Sequence, residues 1–228
     1  MEVYAVKILD ISEGKLDNIC LFIDTEKKCK IQKFINKKDK IRTLIGEILI
    51  RIIINRELGI KNEHIIFEKN QYGKPYLKGY PKFNFNIAHS GDFVVCAIDD
   101  KPIGIDIEEV RHIEYEALAK SFFSVSEFNY IVEKELDVQI SKFYEIWTLK
   151  ESYIKCCGKG LSTSLNSFSI DIDKYENIKV IIDNEHVFKK FDIKAGYKIA
   201  ICSLNKAISN DIIVIDESVL IDEYSKLC

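Results

Sequence analysis

The stretch Ile103-Gly104-Ile105-Asp106-Ile107-Glu108 restricts the fold more than any other part of the chain. Side chains alternate across a strand, so the three isoleucines share one face and Gly104, Asp106 and Glu108 the other. The isoleucine face belongs in a core. The opposite face presents two carboxylates about 7 Å apart at the Cα level, beside a glycine that leaves room for something to approach. Two carboxylates so placed repel each other unless a cation or solvent intervenes. A hard divalent ion such as Mg²⁺ takes one or two carboxylates and completes its shell with water and substrate phosphates. A solvated acidic strand face is the other reading, and the hexapeptide alone leaves both open.

The 228 residues suffice for one large domain or two small ones, and 47% hydrophobic residues supply a sizeable core. A net charge of -3 gives no basis for general nucleic-acid or membrane-surface binding. The longest apolar run, Leu49 to Ile54, is broken by Arg51 and is far too short to span a bilayer. Met1-Glu2-Val3-Tyr4 has neither the basic nor the apolar region of a secretory signal. The seven cysteines are odd in number and include no C-x-x-C pair. Cys96 and Cys202, inside apolar strand-like runs, read as core residues. The expectation is a cytoplasmic protein with reduced thiols.

Along the chain, Glu2–Leu9 reads as a strand and Leu16–Phe22 as a short helix. A basic stretch follows, with Lys27, Lys28, Lys30, Lys33, Lys37, Lys38 and Lys40. It is either a solvated helix face or, with Arg42, an anion site. Asp39 can cap a helix to Leu58, with Ile41, Leu44, Ile45, Ile48, Leu49 and Ile52 as its apolar stripe and Gly59 as its stop. Ile65–Phe67 reads as a short strand. Gly73-Lys74-Pro75 has turn chemistry. Phe83–His89 alternates as a strand and ends at His89-Ser90-Gly91, a small donor-rich turn. Phe93–Ile98 is a further strand. Ser124-Val125-Ser126-Glu127 is a capping box opening a helix. Phe143–Cys156 reads as a second long helix, stopped by Gly158. Strands are expected around Phe168–Ile172, Val180–Ile182 and Tyr197–Ile201. Each half thus contains a long helix, a Gly-Lys turn and later strands, which predicts an α+β duplication with its seam near residue 102.

In the second long helix, Phe143, Trp147, Glu151 and Lys155 recur every four residues and share one stripe. Either Glu151 and Lys155 form a helical pair worth about 0.3–0.5 kcal/mol, or Glu151 joins Asp106 and Glu108 around one cation while Lys155 faces bound phosphates. A carboxylate cluster, separated basic groups and a His-Ser-Gly turn suit a Mg²⁺-bound, phosphate-rich small substrate better than a nucleophilic triad.

These residues resemble the 4′-phosphopantetheinyl transferases of the surfactin-synthetase-activating (Sfp) type. The likeness rests on Ile103-Gly104-Ile105-Asp106-x-Glu108 and on Trp147-Thr148-x-Lys150-Glu151-Ser152-x-x-Lys155, with 40 residues between Asp106 and Trp147. Gly73-Lys74-Pro75 and Phe85-Asn86-Ile87-Ala88-His89-Ser90-Gly91 also match, with Ala88 a departure where many members have serine. The resemblance implies a pseudo-twofold α+β fold of two similar halves, residues 1–102 and 103–228, with coenzyme A in the cleft between them. It implies Mg²⁺ on Asp106, Glu108 and Glu151, and pyrophosphate on Lys155. Lys27, Lys30, Arg42 and His89 would lie near the CoA phosphates, with Ser90 close by, and Gly73, Lys74 and Pro75 on the adenine side. The reaction implied moves the phosphopantetheine arm of CoA to a serine of an apo acyl or peptidyl carrier protein of nonribosomal peptide or polyketide synthesis. The expected base is Glu151, directly or through a metal-bound water, ahead of Glu108. A monomer is expected. Carrier docking is expected along Arg111–Phe128, where Phe122 and Phe123 are either exposed contacts or core. The competing readings are the same reaction on a fatty-acid carrier, a non-catalytic CoA-binding module, and a Mg²⁺-dependent phosphohydrolase.

Overall fold

The computed structural model describes residues 1–181 and 185–227. Its first unit runs β1 (Glu2–Lys7), α1 (Glu13–Ile19), α2 (Thr25–Gln32), α3 (Lys37–Leu58), β2 (Phe67–Lys69), β3 (Pro75–Leu77), β4 (Asn84–Ser90) and β5 (Phe93–Asp99). The second runs β6 (Ile103–Glu109), α4 (Tyr115–Phe122), α5 (Val125–Val132), α6 (Leu136–Cys157), β7 (Ile170–Ile172), β8 (Ile178–Val180), β9 (Val187–Phe191) and β10 (Tyr197–Ser203). The chain closes with β11 (Ile213–Asp216) and α7 (Glu217–Leu227). Ile182, expected to extend β8, lies outside the described residues.

The two units repeat one topology. In each, a strand leads to a 22-residue helix that ends on a left-handed glycine, Gly59 (φ 66°) or Gly158 (φ 69°). A short antiparallel pair follows, then two long strands. The sheet orders are β1-β5-β4 and β6-β10-β9, with antiparallel pairing throughout. This is an α+β fold with a pseudo-twofold duplication. The repeat has one asymmetry. β11 pairs parallel to β1 on the outer edge of the first sheet, and α7 packs against α3 through Arg56 Nε donating to Glu223 at 2.8 Å. Residues 213–227 therefore cross back to the first unit.

The inner faces of the two sheets share a core in which Val3, Ala5, Val95 and Ala97 meet Ile103, Ile105, Ile107, Ile199 and Ile201. The isoleucine face of β6 is buried as its alternation requires. The long helices cover the outer faces, α3 on the first sheet and α6 on the second. α3 is buried well beyond its predicted stripe, with Ile50, Ile53 and Ile54 at 1% exposure or less. α7 and the segment after α1 cover the side that a lone amphipathic helix would expose to water. Its buried Arg51 is satisfied by Glu47 at 2.7 Å and by Asn62.

β4 and β6 are the edge strands that face each other across the seam. Asn86 on β4 accepts from the Ile105 backbone N–H at 2.9 Å, and Ser90 Oγ accepts from the Glu109 N–H at 3.0 Å. On the outer face of β6, Gly104 does not leave a ligand cleft. A Cβ there would fall 2.1 Å from Ser152 O and 2.4 Å from Cys156 N, so the α6 backbone fills the space. Among the described residues no helix is long and apolar enough to cross a membrane.

Gly104→Ala is expected to destabilise by about 3 kcal/mol or more, because the clash is with helix backbone and not with a side chain that can turn away. Thermal unfolding followed by circular dichroism should show a Tm lower by roughly 6–12 °C for a chain of this size. An unchanged Tm would contradict the close approach.

Candidate active site at the seam

Three elements converge where β4 and β6 run side by side. β6 turns Asp106 and Glu108 toward α6, β4 contributes Ile87, Ala88 and His89, and α6 contributes Trp147, Glu151 and Lys155. Together they line a cavity of about 380 Å³. The four-residue stripe of α6 places Trp147, Glu151 and Lys155 one above another on its wall. The predicted Asp106, Glu108, Glu151, Lys155 and His89 are therefore brought together, although they come from three separate parts of the sequence.

Asp106 is only 4% exposed. Its Oδ1 accepts from Lys155 Nζ at 2.5 Å, while its Oδ2 is buried with no donor. The ion pair of Lys155 is thus with the strand carboxylate, across elements. Burial pushes the Asp106 carboxyl above its ordinary range against the pull of Lys155. Burial and then the neighbouring Asp106 push Glu108 up to about 7, while the Ser90 hydroxyl, donating at 2.9 Å, pulls it down. Burial and Asp106 likewise raise Glu151. Burial alone would lower Lys155, but Asp106, Glu151 and Glu108 outweigh it and keep its ammonium charged. His89 sits at the cavity rim with one side open to solvent. Partial burial and the Arg42 guanidinium hold its imidazole below the usual value.

Three carboxylates facing one ammonium leave an excess of negative charge in a confined space. An orphaned buried acceptor on the most buried carboxylate costs free energy until a donor or cation reaches it. Carboxylate oxygens are hard donors, the kind that a Mg²⁺-type ion takes.

The remaining predicted residues take other places. Arg42 donates Nε and Nη2 to Gly91 O at 2.9 and 2.6 Å and Nη1 to Asp39 at 2.6 Å, bracing the turn after Ser90. Lys27 pairs with Glu47 at 3.2 Å, and Lys30 is exposed in the last turn of α2; neither lines the cavity. Gly73 supplies a positive φ of 88° at the turn before β3. Lys74 donates to Lys155 O at 2.6 Å and Ile103 O at 2.9 Å, so it latches the last turn of α6 to the start of β6. Lys74 and Pro75 line a second cavity of about 210 Å³. A larger one, about 720 Å³, lies among Leu21, Phe22, Asp24, Arg51 and Lys61, away from the carboxylates.

Lys150 has a role that the motif alone did not reveal. It is fully buried, donates to both Glu127 oxygens at 2.6 and 2.9 Å and to Phe168 O at 2.7 Å, and stands over the Phe168 ring. Glu127 also accepts from the backbone N–H of Ser124 and of Ile170, both at 2.7 Å. One carboxylate thus closes the capping box of α5 and ties it to α6 and β7.

The model of the 4′-phosphopantetheinyl transferase superfamily matches residues 102–202, and that of the 4′-phosphopantetheinyl transferase N-terminal region matches residues 11–101. The chain belongs to the 4′-phosphopantetheinyl transferase superfamily. Within it, the chain is 36% identical over 219 residues to the 4′-phosphopantetheinyl transferase Sfp of Bacillus subtilis, covering 94% of this chain and 97% of that one. It is 38% identical over 190 residues to the 4′-phosphopantetheinyl transferase gsp of Aneurinibacillus migulanus, covering 82% and 79%. The L-aminoadipate-semialdehyde dehydrogenase-phosphopantetheinyl transferase of Xenopus laevis is 31% identical over 184 residues, 72% of this chain and 61% of that one.

An ordinary glutamate titrates near pH 4.3. Between there and about pH 7 the folded chain keeps a proton on Glu108 that the unfolded chain has released, so stability falls as pH rises through this window. Without added divalent ions, Glu108→Gln should raise the Tm relative to the parent, and by more at pH 8 than at pH 5. A difference independent of pH would show that Glu108 is not held protonated.

Proposed function

We propose that this transferase moves the 4′-phosphopantetheine arm of coenzyme A onto a serine of an apo carrier protein, releasing adenosine 3′,5′-bisphosphate. The reading rests on one observation above all. Asp106, Glu108 and Glu151 share a cavity with the charged Lys155, and a buried Asp106 oxygen there lacks a donor. Asp106, Glu108 and Glu151 would hold Mg²⁺, which supplies charge neutralisation on the pyrophosphate.

The residues of the chain account for the other requirements. Lys155 turns its ammonium toward the pyrophosphate and stabilises charge that grows as the leaving group departs. Ser90 fixes Glu108 against the wall. Glu151, with a carboxyl raised by burial, accepts the proton of the attacking serine. The serine Oγ–phosphorus bond forms as the phosphorus–oxygen bond to the nucleotide phosphate breaks. His89, at the cavity rim, faces the nucleotide phosphates, Arg42 braces the Gly91 turn beside it, and Gly73, Lys74 and Pro75 lie on the adenine side, while Lys27 and Lys30 stand on α2 outside the cavity. The nucleotide end is assigned to residues 1–102 and the metal and pyrophosphate end to 103–228. Carrier docking is assigned beside Trp147, where Phe122 is 39% exposed and meets the indole edge-on at 6.0 Å. Phe123, 6% exposed and stacked on Phe143, belongs to the core. The enzyme is read as a cytoplasmic monomer acting on peptidyl or acyl carriers of nonribosomal peptide or polyketide synthesis.

The test is intact-mass analysis of apo carrier domains incubated with the chain, CoA and Mg²⁺. One phosphopantetheine should be gained and the gain should disappear with EDTA. Glu151→Gln should slow transfer by about 10²-fold or more while CoA still binds. Near-normal turnover in that variant would remove Glu151 as the base. CoA binding with no gain on any carrier type would favour a non-catalytic CoA-binding module, and CoA cleavage without a carrier would favour a hydrolase.

A further inference from the structure

Between the last turn of α6 and β10, outside the lining of the carboxylate cavity, three donors meet from distant parts of the sequence. Cys156 stands in the last turn of α6, Cys202 lies on β10 and His186 immediately precedes β9. A ligand atom from each lies within 4.8 Å of the other two. The two cysteines are 3% and 0% exposed, and His186 is half-buried, edge-on to Tyr153. Cys157 Sγ, 4.0 Å from His186 Nε2, is a further donor at the rim.

The geometry points to a soft-metal site of the zinc class on Cys156, Cys202 and His186. Zinc takes thiolate sulfur at about 2.3 Å and imidazole nitrogen at about 2.0–2.1 Å, so a closure of roughly 1 Å brings these donors onto one ion. Cys156 and Cys157 also line the second cavity, of about 210 Å³. Cys156 Sγ donates to Pro102 O at 3.3 Å, so metal binding would release this proton and replace that contact.

The two sites are chemically separate. The seam offers three carboxylates with one imidazole, His89, at its rim, and this cluster offers two sulfurs and an imidazole, so a hard ion favours the first and a softer one the second. An ion on Cys156 fixes the turn of α6 that carries Lys155 to β10 and to the entry of β9.

The test uses the full chain, freed of metal under reducing conditions and titrated with Co²⁺ in excess Mg²⁺. A thiolate-to-cobalt charge-transfer band should appear and saturate at about one equivalent, and elemental analysis after dialysis against zinc should return about one zinc per chain. Cys202→Ser should abolish the band, while Cys29→Ser, at an exposed position, should leave it intact. His186→Ala should weaken cobalt binding by at least about tenfold. If Cys202→Ser proves unfolded by circular dichroism, the parent titration and the His186 variant decide the matter. A folded parent with no sulfur band, or with less than about a tenth of an equivalent of zinc, overturns the proposal. So does cobalt affinity unchanged in His186→Ala, or a Cys156–Cys202 disulfide that persists under the reducing conditions.

Discussion

The contact between β6 and α6 at Gly104 is the constraint from which the site follows. With no side chain on Gly104, the Ser152–Cys156 turn of the helix lies directly on the strand backbone. That closeness lets Lys155 reach Asp106 at 2.5 Å and sets Glu151 one turn earlier on the same wall. Lys74, arriving from the first unit, binds Lys155 O and Ile103 O, one from each member of the contact. A cation on the last carbonyls of a helix is also favoured by the helix dipole. The motif glycine and the motif lysine of the turn thus serve the same join from opposite sides.

Two lysines of α6, one fully buried and one half-buried, illustrate with their carboxylate partners how satisfaction separates scaffold from chemistry. Lys150 and Glu127 fill each other's hydrogen-bonding capacity with help from backbone groups, and nothing is left over for a ligand. Lys155 and Asp106 are left incomplete, with an orphaned oxygen and two more carboxylates alongside. Five residues apart on one helix, the first arrangement locks the packing of α5, α6 and β7. The second holds charge in readiness for a phosphate-rich substrate and its ion. Breaking a satisfied buried pair costs about 3–5 kcal/mol, which explains why a lysine within the motif can be indispensable without touching substrate.

Much of this was legible in the sequence because it rests on short-range rules. The alternation of β6, the left-handed stops at Gly59 and Gly158, and the capping box at Ser124 all appear as read. The stripe through Trp147, Glu151 and Lys155 lines the same cavity as the two strand carboxylates, with Lys155 paired to Asp106. The features that escaped depend on partners remote in sequence. α6 begins at Leu136, well before Phe143, although Leu136 is 81% exposed. That first turn is held by Gln139, which donates to Lys134 O and accepts from Tyr115. α3 is capped by Asn36, not by Asp39, which pairs with Arg42 instead. The basic stretch is divided between α2 and α3, and its lysines go to separate acids: Lys27 to Glu47, Lys37 to Asp10 and Lys38 to Asp92. The space at Gly104 was legible, but its occupant was not, since only the fold shows that a helix takes it. Cys202 reads as core from its own strand, and only the packing of β10 against α6 places it beside Cys156 and His186.

The return of β11 and α7 to the first sheet bears on how the polypeptide matures on the ribosome. The flank of α3 that receives Leu220, Ile221 and Tyr224 stays wet while the whole second unit is being translated. The first unit cannot finish its core before residues 213–227 emerge, so the earlier half waits for the later one. Assembly is thereby pushed toward a single concerted event, and a chain stalled before β11 presents an uncovered aliphatic surface to the cell's chaperones and proteases.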